Sequence, residues 1–195
     1  MEKTSIRLSE HFTLAELTKT NTNLKNVPNE AQIENLKRVC RWLELLRSRY
    51  NERYERTSPP NPLSERRGGS LRREGSEDEP IVINSGFRSE AVNKAVGGAA
   101  TSNHLTGCAA DIRVSGMEQA LRYAVILLDI SDESREDLTS SRVCSHSAKQ
   151  MQASLCARST ADFDELLIER NARGAIWLHF AVRESGNRRK LRFIS

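Results

Sequence analysis

The stretch Ser102-Asn103-His104-Leu105-Thr106-Gly107-Cys108-Ala109-Ala110-Asp111 constrains the fold of this chain more than any other. It reads S-x-H-x-x-G-x-A-x-D, an imidazole and a carboxylate separated by small residues. Gly107, Ala109 and Ala110 let a backbone turn closely around an ion without steric conflict. A further candidate ligand, His179, lies in the apolar run 175–182, which reads as a buried strand. Two imidazoles and one carboxylate leave one tetrahedral position open on Zn²⁺, and an open position separates a catalytic zinc from a structural one. An isolated His or Asp in a turn more often just satisfies the backbone. A lone buried His is most simply a hydrogen-bonded core residue. The complete pattern together with the second His tips the balance toward a hydrolytic zinc site made of His104, Asp111 and His179.

A chain of 195 residues suffices for one domain with a real core. Its 37% hydrophobic content points to polar segments outside that core. The net charge of +4 suits a polyanionic partner such as a bacterial wall, and nucleic acid equally. No basic motif with interleaved aromatics is present, so no nucleic-acid partner is expected. Cys40, Cys108, Cys144 and Cys156 form no C-x-x-C pair, which argues against a thiolate zinc site. Cys40 and Cys108 read as small buried residues, and nothing requires Cys144 and Cys156 to pair. Residues 1–7 lack the apolar core of a secretory signal, and no run reaches membrane-span length. The expectation is a monomer with no membrane partner, cytoplasmic on synthesis, that acts on cell wall only after release.

Thr13 and Glu16 form a capping-box pattern that opens a short helix. Asn29 starts a longer helix with Ile33, Leu36, Val39, Leu43 and Leu46 at helical spacing. The segment 57–79 carries almost no core material and reads as a disordered insertion. Ile81-Val82-Ile83 reads as a central strand, and Ser89 as the start of a small helix ended by Gly97-Gly98. A strand over 109–114 carries Asp111. Ser115 and Glu118 then cap a helix through Ala120, Leu121, Ala124, Val125 and Leu128. Segment 132–161 is polar and without clear period, a second insertion or long loop. Two antiparallel strands, around 166–168 and 176–181, join through 171–174, and residues 188–194 add an edge strand. The fold class is α+β: one domain over 1–195, with helices against a small antiparallel sheet.

The block 80–112, with Pro80-Ile81-Val82-Ile83-Asn84-Ser85-Gly86-Phe87-Arg88-Ser89 and the S-x-H-x-x-G-x-A-x-D run, resembles peptidase family M15. That family comprises zinc D-Ala-D-Ala carboxypeptidases and related cell-wall peptidases, and the nearest likeness is to its phage and bacterial branch. The resemblance extends to 8–17, from Leu8-Ser9-Glu10-His11-Phe12 through Leu17, to 29–46 and from Phe163-Asp164-Glu165 through His179. It implies a Hedgehog/DD-peptidase-like fold, Zn²⁺ as cofactor and peptidoglycan stem peptides as substrate. The expected activity is that of a D-Ala-D-Ala carboxypeptidase or a cell-wall endopeptidase, in a phage or prophage setting.

Arg88 matches the family's substrate-side arginine. A guanidinium fork suits a peptide carboxylate or a developing oxyanion. Its plainer role is to tie down its own loop. Ser102 is expected to hold the metal loop or the substrate. Several members place an acid three residues before the last histidine ligand, whereas this chain has Ile176 there. A hydrophobe cannot shuttle a proton. Glu169, which closes the run 163–169, is the best replacement as general base if a hairpin brings it near His179; orienting a ligand imidazole is its equal alternative. The missing acid also keeps open a different class, a zinc-containing module that binds wall or protein without turnover. Segment 57–79 suggests a third reading, a decayed prophage remnant.

Overall fold

A computed structural model describes residues 6–54, 79–140 and 162–194. Two long helices and five strands dominate. Helix α1 (Leu14–Leu17) is opened by the expected capping box, with the Thr13 amide donating to Glu16 Oε2 at 2.8 Å. Helix α2 (Glu30–Tyr54) opens on a reciprocal cap in which the Asn29 and Gln32 amides each donate to the other's side chain, at 2.8 and 2.9 Å. Leu36, Val39, Leu43 and Leu46 of the expected apolar stripe are buried, Ile33 packs partly buried against the core, and buried Tyr50 continues the stripe.

Helix α4 (Met117–Ser140) departs from expectation at both ends and in its facing. Ser115 is capped by Gln119, whose Oε1 accepts from the Ser115 amide at 2.7 Å, while Glu118 pairs with Arg122. The buried face carries Ala120, Tyr123, Ala124, Ile126, Leu127 and Ile130, and Leu121 and Val125 are exposed. The stretch is apolar nearly all round, so spacing alone does not fix which stripe turns inward. Residues 132–140 are helical, although their polarity suggested a loop. Asp132, Glu133 and Arg135 are exposed, and a solvated turn of helix needs no apolar stripe. Arg49 on α2 grips Glu133 there with two hydrogen bonds, at 2.8 and 2.6 Å. The remainder of that expected loop, 141–161, lies outside the described residues, as do most of the 57–79 insertion and both Cys144 and Cys156.

The sheet runs β1 (Ile83–Ser85), β2 (Ala109–Arg113), β4 (Ile176–Ala181), β3 (Glu165–Arg170), β5 (Lys190–Ile194). Neighbours are antiparallel except β3 and β5, which are parallel, so the sheet is mixed and not wholly antiparallel as expected. The cause is the short link 182–189. Ala181 ends β4 opposite Glu165, the start of β3, and the chain crosses that end to begin β5 beside the same residue. A strand that starts there has to run alongside β3. The 188–194 segment is thus an edge strand, as read. The central strand expected at 81–83 is instead the edge strand β1, which begins only at Ile83; Ile81 and Val82 precede it, the first buried and the second exposed. Between β1 and β2 come helix α3 (Glu90–Ala95), capped by Ser89 and followed by Gly97, and a 3-10 turn (Asn103–Thr106).

Side chains alternate across a strand. Ala110, Ile112, Leu166, Ile168, Leu178 and Phe180 join the core with α2 and α4, where the Trp42 ring stacks against Phe180 with centroids 5.4 Å apart. Asp111, Glu165, Glu169, Trp177 and His179 therefore belong to the opposite face, the one without the long helices. The α+β class is as expected.

Candidate metal centre

The pairing of β2 with β4 sets Asp111 directly across from His179. His104 arrives from the 3-10 turn. That turn is capped by Ser102, whose Oγ accepts from the His104 amide at 3.3 Å, and is ended by Gly107 at φ 73°. A Cβ on Gly107 would also lie 2.6 Å from the Gln32 carbonyl oxygen, so only glycine lets the turn pack against α2.

The site closes into a triangle. His104 Nε2 lies 3.2 Å from both Asp111 Oδ1 and His179 Nδ1, and the last two are 2.9 Å apart. A tetrahedral zinc with ligands at about 2.0–2.1 Å holds them roughly 3.3 Å apart. The donor set and its spacing thus fit a divalent metal. All three residues are buried.

Each ligand is also held from behind. With Nε2 of His104 turned to the centre, its Nδ1 faces the Gly86 carbonyl oxygen at 2.6 Å. A Cβ on Gly86 would lie 2.3 Å from the Leu17 carbonyl oxygen, so glycine is required for this strand end to sit against α1. Asp111 Oδ2 accepts from Arg88 Nη2, and Arg88 Nε donates to Ser85 Oγ at 2.8 Å. Arg88 lines the cleft as expected, yet Nε and Nη2 are turned inward to hold Asp111 and β1. His179 Nε2 points to Glu165, with Oε2 at 3.7 Å.

Burial opposes charge on Asp111, but His104 and His179 outweigh it and hold its carboxyl well below the usual range. Burial likewise opposes charge on His179, yet its hydrogen bond to Asp111 and the Glu165 carboxylate raise its pKa to about 9. Glu165 is held well below the ordinary carboxylate range by His179 first, against burial, and then by Lys190. Burial pushes the Cys40 thiol up to about 12, in keeping with an inert core residue.

The triad opens onto a cleft of about 670 Å³ lined in part by Arg88, Ser102, Glu169, Trp177, Arg183 and Lys190. Glu169 stands in this cleft but faces Trp177 across the hairpin, and Leu167 is the residue opposite His179. Sequence reasoning missed Glu165, which makes the close approach to His179 that was expected of Glu169. Both glutamates are diagonal neighbours of His179 on the same face, so alternation could have nominated either, and strand twist brings Glu165 nearer. Ile176 packs against the core on the opposite face from His179. In an unbroken strand, the position three residues before a ligand always does.

Asp164 is buried and accepts from Arg188 Nε at 2.7 Å, Arg188 Nη2 at 2.8 Å and Asn103 Nδ2 at 2.8 Å, with Arg183 Nε at 3.0 Å. Asn103 adjoins His104 in sequence, so this buried carboxylate ties the metal loop to the link before β5. Among the described residues no helix is long and apolar enough to cross a membrane.

Residues 71–129 match the family model described as Peptidase M15. The matched stretch includes Arg88, His104 and Asp111, and ends before the strands that bring His179. No curated protein matches the chain.

Proposed function

We propose that the chain, whose residues 71–129 match the peptidase M15 family model, is a zinc-dependent peptidase acting on peptidoglycan stem peptides. The observation that carries the zinc reading is the triangle of His104 Nε2, Asp111 Oδ1 and His179 Nδ1, with edges of 2.9–3.2 Å, at the floor of an open cleft. His104, Asp111 and His179 would hold the ion. Bound there, zinc supplies Lewis acidity toward a scissile carbonyl and toward water near neutral pH.

The protein's own groups divide the remaining work. Glu169 stands on the cleft face with no direct hydrogen bond or ion pair among the described residues, and is suited to take a proton from water and pass it to the leaving amine. Arg88 keeps Nη1 for a substrate carboxylate or oxyanion while Nη2 braces Asp111 and Nε holds Ser85. Ser102 caps the metal loop at the rim of the same cleft. D-Alanine release or cleavage within the stem peptide are the two bond choices.

A chelator is expected to abolish cleavage of wall peptides, and added zinc to restore it. Glu169→Gln is expected to lower kcat by about 10²–10⁴-fold with zinc still bound. The core-facing Ile176 favours a second reading, a zinc-containing wall-binding module. Wall binding that survives both Glu169→Gln and His179→Ala, without turnover in the native chain, would support it.

A further inference from the structure

We propose that Glu165 is a positioning residue: its carboxylate holds the His179 imidazole in the orientation and tautomer that present Nδ1 to the metal. The inference rests on the zinc reading above and adds to it a residue outside the ligand triad.

Nδ1 of His179 lies inside the triangle, so with a metal bound the remaining ring proton sits on Nε2. Metal-bound imidazoles almost always give that second N–H to a carboxylate or carbonyl, which fixes the ring and strengthens the ligand. His104 has such a partner in the Gly86 carbonyl. The counterpart for His179 is Glu165, with Oε2 at 3.7 Å from Nε2. That distance exceeds a direct hydrogen bond; the acceptor stands beside the ring, and a metal at Nδ1 would leave the Nε2 proton facing it.

The carboxylate is itself braced. Oε1 accepts from Lys190 at 2.8 Å and pairs with Arg188 at 3.0 Å, while Oε2 accepts from Asn103 at 3.1 Å. One oxygen is thus turned to two cations from β5 and its approach, and the other inward to the ring. Such a clamped carboxylate suits orientation better than proton shuttling. The arrangement also gives the parallel β5 strand a purpose, since it delivers Lys190 to this carboxylate.

The test measures zinc affinity by competition with a chromophoric chelator, and reads the His179 tautomer by long-range ¹H–¹⁵N NMR of zinc-loaded protein. Glu165→Ala is expected to weaken zinc binding about 10- to 100-fold and to remove the protected Nε2 proton signal. Glu165→Gln keeps an acceptor and is expected to retain most of the affinity and the signal; it also serves if the alanine variant misfolds. Lys190→Ala is expected to cost several-fold. Native affinity and an unchanged His179 signal in Glu165→Ala overturn the proposal while leaving the zinc reading intact. Loss of turnover in Glu165→Gln with native zinc affinity also overturns it and makes Glu165 the base. Failure of the native chain to bind zinc removes both readings together.

Discussion

His179 has a folded pKa of about 9, above the ordinary imidazole value of 6.5, so a metal there would compete with a proton. The stability it contributes to metal-free protein is therefore fully present below about pH 6.5 and is lost as pH rises through about 9. Asp111 has the opposite sign: its folded pKa is depressed, so its contribution is present above about pH 4 and fades as pH falls. Zinc competes with the His179 proton, so affinity is expected to rise with pH between about 6.5 and 9, with close to one proton released per ion at pH 7.5. Calorimetry in buffers of differing ionisation enthalpy measures that release, and a pH-independent affinity would contradict it. Gly86→Ala forces a methyl against the Leu17 carbonyl and shifts the carbonyl that holds His104. We expect a loss of about 1–3 kcal/mol in chemical denaturation, together with weaker zinc binding. The coming together of His104, Asp111 and His179 was legible in the sequence because two lie in one short pattern and the third in an apolar run. The inward hold of Arg88 on Asp111 was not, since it depends on the irregular pairing that sets Ser85 beside Asp111.

The strands explain which carboxylates reach the metal. Alternation sends Leu178 and Phe180 to the helices and His179 to the cleft, and the same rule sends Ile176 to the core. Restoring an acid at that position is therefore not expected to restore a base. Ile176→Glu should lower stability by about 1–3 kcal/mol and add nothing to peptide cleavage, as thermal melts and rate assays would report. A gain in rate would show that β4 breaks its alternation near the metal. The caps at Thr13, Asn29 and Ser89 could be read directly, because each depends on residues within a single turn. The parallel direction of β5 and the buried stripe of α4 could not: one depends on where a distant strand begins, the other on what packs against a helix that is apolar nearly all round.

Across the described residues, one sheet face builds the core with α2 and α4, and the other faces the cleft with the His104–Asp111–His179 cluster. Asp164 couples the two ends of the site by tying Asn103 in the metal loop to Arg183 and Arg188 before β5. Burial would raise its pKa, but Arg188, Asn103 and Arg183 outweigh burial and hold it below the usual range. Asp164→Ala is expected to cost about 1.5–3 kcal/mol and to weaken zinc binding, because His104 loses its braced neighbour. A native zinc affinity in that variant would show that the loop holds itself. The central claim is hydrolysis at the His104–Asp111–His179 centre. Mass spectrometry of peptidoglycan fragments incubated with zinc-loaded protein, beside chelated protein and His179→Ala, tests it most directly. The account predicts a zinc-dependent mass change that both controls lack, the loss of one alanine marking a carboxypeptidase and an internal cut an endopeptidase. Unchanged fragments with folded, zinc-loaded protein would contradict it.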